Sequence, residues 1–214
     1  MNSPATLTKG ERTRAHIVAT AANLFWRRNF HGVSVDEVAQ AAKVNKATVY
    51  RYFADKNDIA LAVARFNGEM SLDLVFAGSF AEFSAPQDRL AAIYRQAHCA
   101  HAQTATENGD IYGCPIVGLA LELGQEIPKI REEANRIFAQ VEEMLTRIAR
   151  DAYELLGTKA DPASLGRTLT QLLHGAFASA RLASDPQLIL DAGNASLTLI
   201  GFPETPILET ELTQ

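Results

Sequence analysis

The 214-residue sequence contains few of the features that mark secreted, membrane or disulfide-rich proteins. Its two cysteines, Cys99 and Cys114, cannot form a disulfide framework and lack the CxxC spacing of a zinc or redox motif. The longest apolar run, Ile59 to Ala64, is far shorter than the roughly 20 residues that a membrane helix needs. The first twenty residues mix charged and apolar side chains and do not resemble a signal peptide. We therefore expect a soluble, cytoplasmic protein with no membrane contact.

Motifs of the common enzyme classes are missing as well. The chain has no HExxH, no phosphate-binding GxxxxGK[ST], no dinucleotide-binding GxGxxG and no residues in Ser-His-Asp order. His98, His101 and His174 are potential metal ligands, but no carboxylate or thiolate is convincingly placed beside them. We expect no enzyme activity, no metal and no cofactor.

The charge of the chain is distributed unevenly. Residues 1–56 hold nine Lys and Arg but four Asp and Glu, a net charge of +5, whereas the remaining residues carry −10. The whole-chain value of −5 conceals this division. A basic segment attached to an acidic one suggests that the N-terminal end meets a polyanion such as nucleic acid.

Apolar residues recur at intervals of three and four along almost the whole chain, which predicts an all-α protein. Capping residues, prolines and glycines predict the helix boundaries. Nine helices are expected, at about 9–29, 35–42, 46–52, 56–76, 86–105, 115–124, 128–156, 162–184 and 186–200. Residues 106–114 are predicted to form a loop.

Residues 34–53 have the spacing of a helix-turn-helix. Two short helices flank Lys43-Val44-Asn45, and apolar residues such as Val38 and Val49 are spaced to pack them together. The second helix of this motif enters the major groove of DNA. Its outward side chains include Lys46, Thr48 and Tyr50, which suit phosphates and base edges.

The same segment resembles the DNA-binding domain of the TetR family of transcriptional regulators. The similarity runs nearly continuously over residues 13–60, through Phe30-His-Gly-Val-Ser-Val-Asp-Glu-Val-Ala39, and ends in Thr48-Val-Tyr-Arg-Tyr-Phe53 with Asp55-Lys56. The resemblance implies a DNA-binding domain at residues 1–56 and a helical ligand-binding and dimerisation domain at 57–214. It also implies a homodimer that binds a near-palindromic operator in double-stranded DNA.

The resemblance also implies specific DNA contacts. By similarity, phosphates would be bound by Ser34, Tyr50, Tyr52 and Lys56, and base edges would be faced by Lys46, Ala47 and Thr48. The family usually has glycine where this chain has Asn29, Lys43 and Ala47. Asparagine tolerates a left-handed backbone better than most residues, whereas Lys43 is expected to be strained or to adopt a different turn. Ala47 is expected to alter operator preference.

The second domain has no comparably specific motif, although Gly113-Cys-Pro115 is similar to a turn at the edge of the ligand pocket in some family members. Aromatic and polar residues on facing helices suggest an apolar small-molecule pocket, with a structural role as the alternative for each of them. The candidate lining residues are Tyr94, His98, His101, Cys114, Asn135, Phe138, His174 and Phe177. Cys114 has no basic neighbour in sequence to activate its thiol, so we expect it to be inert.

The last two helices carry leucine stripes together with small residues that permit close helix approach. By resemblance they would form a four-helix bundle with a second subunit, and the alternative is packing within one chain. The candidate interface residues are Leu165, Leu169, Leu172, Leu188, Ala192 and Leu199.

The favoured hypothesis for function is a repressor that a small-molecule effector releases from its operator. A DNA-binding regulator without a ligand is the alternative, and a helical enzyme is the least favoured class.

Overall fold

A computed structural model of the chain describes residues 7–205, which contain nine helical segments and no strand. The predicted all-α class is therefore confirmed for the described part of the chain. None of these helices is both long and apolar enough to cross a membrane. In chain order the segments are α1 (Lys9–Arg28), α2 (Val35–Ala41), α3 (Lys46–Tyr52), α4 (Lys56–Met70, continued by Ser71–Ala77 and Gly78–Glu82), α5 (Pro86–Asn108), α6 (Pro115–Leu123), α7 (Pro128–Leu156), α8 (Pro162–Ala183) and α9 (Gln187–Leu199).

The predicted caps begin the helices of the N-terminal segment. Ser34 and Glu37 form the expected capping box at α2, and the Asn45 side chain accepts the Thr48 backbone N–H at 2.7 Å. Asp55 similarly accepts the N–H of Asp58 at 2.8 Å. Each side chain satisfies an amide that has no partner within its own helix, and so fixes the helix start.

Two predicted helix ends are wrong. The fourth helix continues beyond residue 76 through a π-helical segment, where Phe76 and Ser79 are buried and the Ser79 hydroxyl donates a hydrogen bond to the Phe76 carbonyl at 2.7 Å. The fifth helix continues to Asn108, although residues 106–108 were expected to lie in a loop. It ends at Gly109, whose φ of 73° is the left-handed conformation that commonly terminates a helix.

The described residues form two compact units, and each has its own hydrophobic core. The first unit comprises the residues up to Gly68 together with Pro115–Ala134. Its core joins the three N-terminal helices to the start of α4 and to α6, through fully buried Ile17, Val38, Val49, Ile59 and Leu123.

The second unit comprises Glu69–Cys114 and the residues from Asn135 onward. Its core contains buried aliphatic residues of α5, α7, α8 and α9, such as Leu90, Ile148, Leu169 and Ile189. Helices α7 and α8 cross closely, since a Cβ at Gly166 would lie 2.8 Å from the Cα of Thr146. The predicted division at residues 56 and 57 concerns function and stays a prediction.

Candidate nucleic-acid interface

Helix α3 is anchored by one face and exposed on the others. Val49 and the following Phe53 are buried in the core of the first unit. Because α3 has only two turns, this anchoring leaves Lys46, Ala47 and Tyr50 accessible to solvent. Tyr50 is 47% exposed. The exposed face thus combines a cation, a small side chain and a phenol.

The start of α3 is held by its own cap. The Asn45 side-chain oxygen accepts the backbone N–H of Thr48 at 2.7 Å and the Thr48 hydroxyl at 2.8 Å. The hydroxyl proton of Thr48 is therefore engaged within the protein. Its oxygen remains a hydrogen-bond acceptor for a base amino group, and its methyl group suits the thymine methyl.

Lys46 is exposed and pairs with Asp36 at the start of α2. The Lys46 Nζ lies 2.9 Å from Asp36 Oδ2, and this hydrogen bond raises the pKa of Lys46. Both side chains are more than half exposed. Exposed ion pairs of this kind contribute little to stability, so Lys46 is able to exchange Asp36 for a phosphate or guanine at little cost.

Tyr52 and Arg51 form a pair at the end of α3. The Arg51 guanidinium lies 4.9 Å from the centre of the Tyr52 ring and donates a hydrogen bond to the Tyr52 hydroxyl at 3.1 Å. Tyr52 is half-buried, whereas Arg51 is exposed. Arg51 is one of the outward side chains of α3, and its charge suits a phosphate contact.

Lys56 has a structural role that its sequence position did not indicate. Its ammonium donates a hydrogen bond to the Phe30 carbonyl at 2.6 Å and lies 3.9 Å from the centre of the Phe30 ring. Partial burial lowers the pKa of Lys56. The ammonium thus joins the start of α4 to the loop after α1. A phosphate contact would have to use the remaining donors of this already engaged group.

Ser34 is engaged in a similar way. Its backbone N–H and its hydroxyl both donate to Glu37 Oε2, at 2.7 and 2.8 Å. Arg28 lies 2.8 Å from the other carboxylate oxygen of Glu37. The hydrogen bonds from Ser34, together with Arg28, lower the pKa of Glu37 to about 2. For Ser34 to donate to a phosphate, its hydroxyl must turn away from Glu37.

Two of the three positions where the family usually has glycine require a glycine-like backbone. Asn29 has φ 60° and ψ 168°, a region that residues other than glycine seldom adopt, and Lys43 has φ 54°. The predicted strain at Lys43 is therefore present, and the conformation of Asn29 lies outside the left-handed helical region expected for it. Ala47 is helical, so its methyl group changes the surface of α3 rather than its backbone.

Glu122 of α6 was not predicted to take part in the first unit. Its carboxylate accepts the backbone N–H groups of Phe30 and His31, at 2.9 and 3.0 Å. These residues lie more than 90 positions apart in sequence, and no local pattern indicates their proximity. The contact helps to hold the loop that connects α1 to the helix-turn-helix.

The second unit brings four of the predicted pocket residues together as two ring pairs. His101 stacks on Phe177 with ring centres 4.9 Å apart, and Phe138 lies 4.5 Å from His174. His174 and Phe177 are three residues apart on α8 and so share a face. Burial lowers the pKa of His101 and of His174, which favours neutral imidazoles.

The other predicted pocket residues occupy different surroundings. Tyr94 is buried, its hydroxyl is 2.8 Å from the Ser196 hydroxyl, and burial raises its pKa to about 12. Asn135 is exposed, whereas His98 and Cys114 are half-buried. Across residues 7–205 no three metal-ligating side chains are grouped to hold an ion.

Two predicted interface residues are buried within their own chain. Leu165 and Leu169 are buried in the core of the second unit, because the leucine stripe of α8 packs against the same chain. Leu172, Leu188 and Ala192 are half-buried, and Leu199 is 46% exposed. The exposed surface of α8 and α9 contains small residues such as Gly175, Ala178 and Ala195, together with Leu182.

The fold and this surface define the class of protein: a helical, DNA-binding transcriptional regulator with a helix-turn-helix. The family model described as bacterial regulatory proteins, tetR family, matches residues 17–63. The model described as tetracyclin repressor-like, C-terminal domain, matches residues 86–195, about half of the chain. The chain belongs to the TetR family of transcriptional regulators.

The chain is also similar to a curated repressor in sequence and to solved structures in fold. The transcriptional repressor NemR of Escherichia coli K12 is 28% identical over 116 residues, which span 52% of this chain and 54% of NemR. The crystal structure of reduced E. coli NemR has a TM-score of 0.77 at 22% identity, covering 91% of this chain and all of that one. A regulatory protein TetR from Rhodobacter sphaeroides has a TM-score of 0.75, also at 22% identity, covering 89% of this chain and 98% of that one.

Proposed function

We propose that this regulator is a cytoplasmic repressor that binds a near-palindromic operator as a homodimer and leaves it when a small molecule occupies the second unit. The observation that carries the proposal is the exposed face of α3, where Lys46, Ala47 and Tyr50 surround a capped helix start. One two-turn helix reads few base pairs, so useful specificity requires a second copy on a second half-site.

Each residue of the DNA surface has a proposed role. Lys46 and Ala47 face base edges, with Lys46 suited to guanine, and Thr48 offers an oxygen and a methyl group. Tyr50 and Tyr52 bind phosphates through their hydroxyls, and Lys43 and Arg51 add positive charge beside them. Ser34 contributes a phosphate contact only if its hydroxyl turns away from Glu37. Lys56 contributes one only through the N–H donors that do not bond to the Phe30 carbonyl.

The proposed effector site lies around the two ring pairs of the second unit. His101, Phe177, Phe138 and His174 supply flat apolar surface, and their neutral imidazoles provide polar edges. Such a site suits a largely apolar molecule with a few polar atoms. The effector releases DNA only to the extent that it binds the DNA-free arrangement more tightly.

Selection of DNA fragments from a random pool, followed by binding titrations, tests the proposal. We expect a palindromic consensus, binding of one dimer, and weaker binding when an effector found by thermal-shift screening is added, since a ligand selective for the native state raises its stability. If the protein binds DNA and no stabilising small molecule weakens that binding, the result would instead support a regulator without a ligand. Failure to select any DNA sequence would contradict the whole proposal.

A further inference from the structure

The first unit contains a surface pocket of about 280 Å³ that lies away from the α3 face and belongs to none of the sites above. It is formed by one side of α1, by Phe66 and Asn67 of α4, and by Pro115 at the start of α6. A cavity of about 150 Å³ in another protein is large enough for benzene, so this volume accommodates a fused two-ring molecule.

The lining of the pocket favours a flat, uncharged ligand. Trp26, Phe66 and Pro115 provide ring surfaces, and no lining residue carries an ionisable side chain. A charged ligand would lose hydration without gaining an opposite charge, whereas a neutral aromatic molecule would gain contact with the rings.

Two asparagines add hydrogen-bonding capacity to these apolar walls. Asn23 and Asn67 line the pocket, and neither side-chain amide makes a hydrogen bond to any residue between 7 and 205. Each amide offers two N–H donors and an acceptor oxygen. This combination is complementary to a group that carries a carbonyl and an N–H together, as a lactam or amide does.

We propose that this pocket binds a neutral, planar, two-ring molecule bearing an amide or lactam group. The ligand lies against Trp26 and Phe66, and its polar edge exchanges hydrogen bonds with Asn23 and Asn67. The site is separate from the proposed effector site in the second unit, and the proposal does not depend on operator binding.

The single tryptophan of the chain makes the site directly observable. Full-length protein containing 5-fluorotryptophan should give one 19F resonance, from Trp26. Titration with 2-quinolinone, a neutral two-ring lactam, is expected to shift it saturably, with a Kd on the order of 0.1–1 mM for a ligand of this size. Naphthalene-2-carboxylate, a planar anion, is expected to bind at least about tenfold more weakly because its charge has no partner.

A pair of variants on α1 locates the binding. Ala19 lines the pocket and is exposed, so Ala19→Leu fills the entrance without disturbing the core, and 2-quinolinone should bind about tenfold more weakly or worse. Ala15→Leu makes the same change one turn earlier, outside the lining, and should bind as the unsubstituted protein does. The absence of a saturable shift, equal affinity for the anion, or equal binding by both variants would each overturn the proposal.

Discussion

Lys56 makes contacts within the protein that do not depend on bound DNA. Its ammonium joins the Phe30 carbonyl and ring to the start of α4, in surroundings that lower its pKa. Its basic charge and its position in the motif suggest a phosphate contact. The internal role was not predictable from sequence, because Phe30 lies 26 residues away and only the fold brings the two together.

Replacement of Lys56 by methionine should therefore destabilise the fold. The change keeps an unbranched apolar side chain but removes a charge-assisted hydrogen bond and a cation–π contact, so we expect a loss of about 1–3 kcal/mol in unfolding free energy. Urea denaturation measures it, with Lys159→Met at an exposed loop position as the control. Unchanged stability would show that the internal contacts contribute little.

Asn29 has a backbone conformation that residues other than glycine seldom adopt. At φ 60° and ψ 168° the conformation favours glycine, so Asn29→Gly should stabilise the protein by about 1 kcal/mol. The same change at Asn57, in the first turn of α4, should be neutral or slightly destabilising. Thermal unfolding of both variants provides the measurement. A lower midpoint for Asn29→Gly than for the unsubstituted protein would contradict the assigned strain.

At the scale of the element, helix starts were more predictable than helix ends. Ser34, Asn45 and Asp55 act locally, through hydrogen bonds to residues three positions ahead, and their sequence spacing is sufficient to identify them. The continuation of α4 past residue 76 accompanies the burial of Phe76 in the core of the second unit and the burial of Ser79. Burial of this kind arises from tertiary packing, which a local pattern does not contain.

The crossing of α7 and α8 depends on the absence of a side chain at Gly166. A Cβ there would lie 2.8 Å from the Cα of Thr146, so Gly166→Ala should destabilise the fold by about 1–3 kcal/mol. Gly118 in α6 has open space around its missing Cβ, and Gly118→Ala should stabilise by about 0.5–1 kcal/mol. Urea titrations compare the unfolding free energies of the two variants. Stabilisation by both substitutions would disprove the close crossing of α7 and α8.

The exposed face of α8 and α9 is the surface through which we propose that two copies of the chain form a dimer. Ala178 is exposed and small, and Ala178→Arg would place a bulky charge where a second copy is proposed to pack. We expect this variant to sediment as a monomer at concentrations where the unsubstituted protein is a dimer. Ala160→Arg, in an exposed loop, should leave the association unchanged. A dimeric Ala178→Arg variant would place the interface elsewhere.

At the scale of the whole molecule, the all-α class and the DNA-binding function could be predicted because the motif at residues 34–53 is local and specific. The pocket residues of the second unit were harder to predict. Tyr94 and His101 were both candidates for the pocket, but the Tyr94 hydroxyl is hydrogen-bonded to Ser196 in the core, whereas His101 stacks on Phe177. Side chains on one helical stripe reach different neighbours, and sequence alone does not identify which neighbours they are.

Stability of the whole chain should fall as the solution is acidified from pH 8 to pH 5. Burial lowers the pKa of His101 and His174 in the folded state, so below about pH 6.5 the unfolded chain binds more protons than the folded chain. This difference favours unfolding as the pH falls. His174→Gln should show a smaller decrease in thermal midpoint over the same interval. An equal decrease would assign the pH dependence to other groups.

Binding of selected operator DNA by matched lysine variants tests directly whether the exposed face of α3 contacts DNA. Lys46→Ala and Lys159→Ala each remove one exposed positive charge, from α3 and from a loop of the second unit. Fluorescence anisotropy over a range of salt concentrations should show that Lys46→Ala weakens binding by about 1–3 kcal/mol and relaxes base preference, as expected for a guanine contact. Lys159→Ala should match the unsubstituted protein. Equal affinities and equal base preference for the two variants would contradict the account.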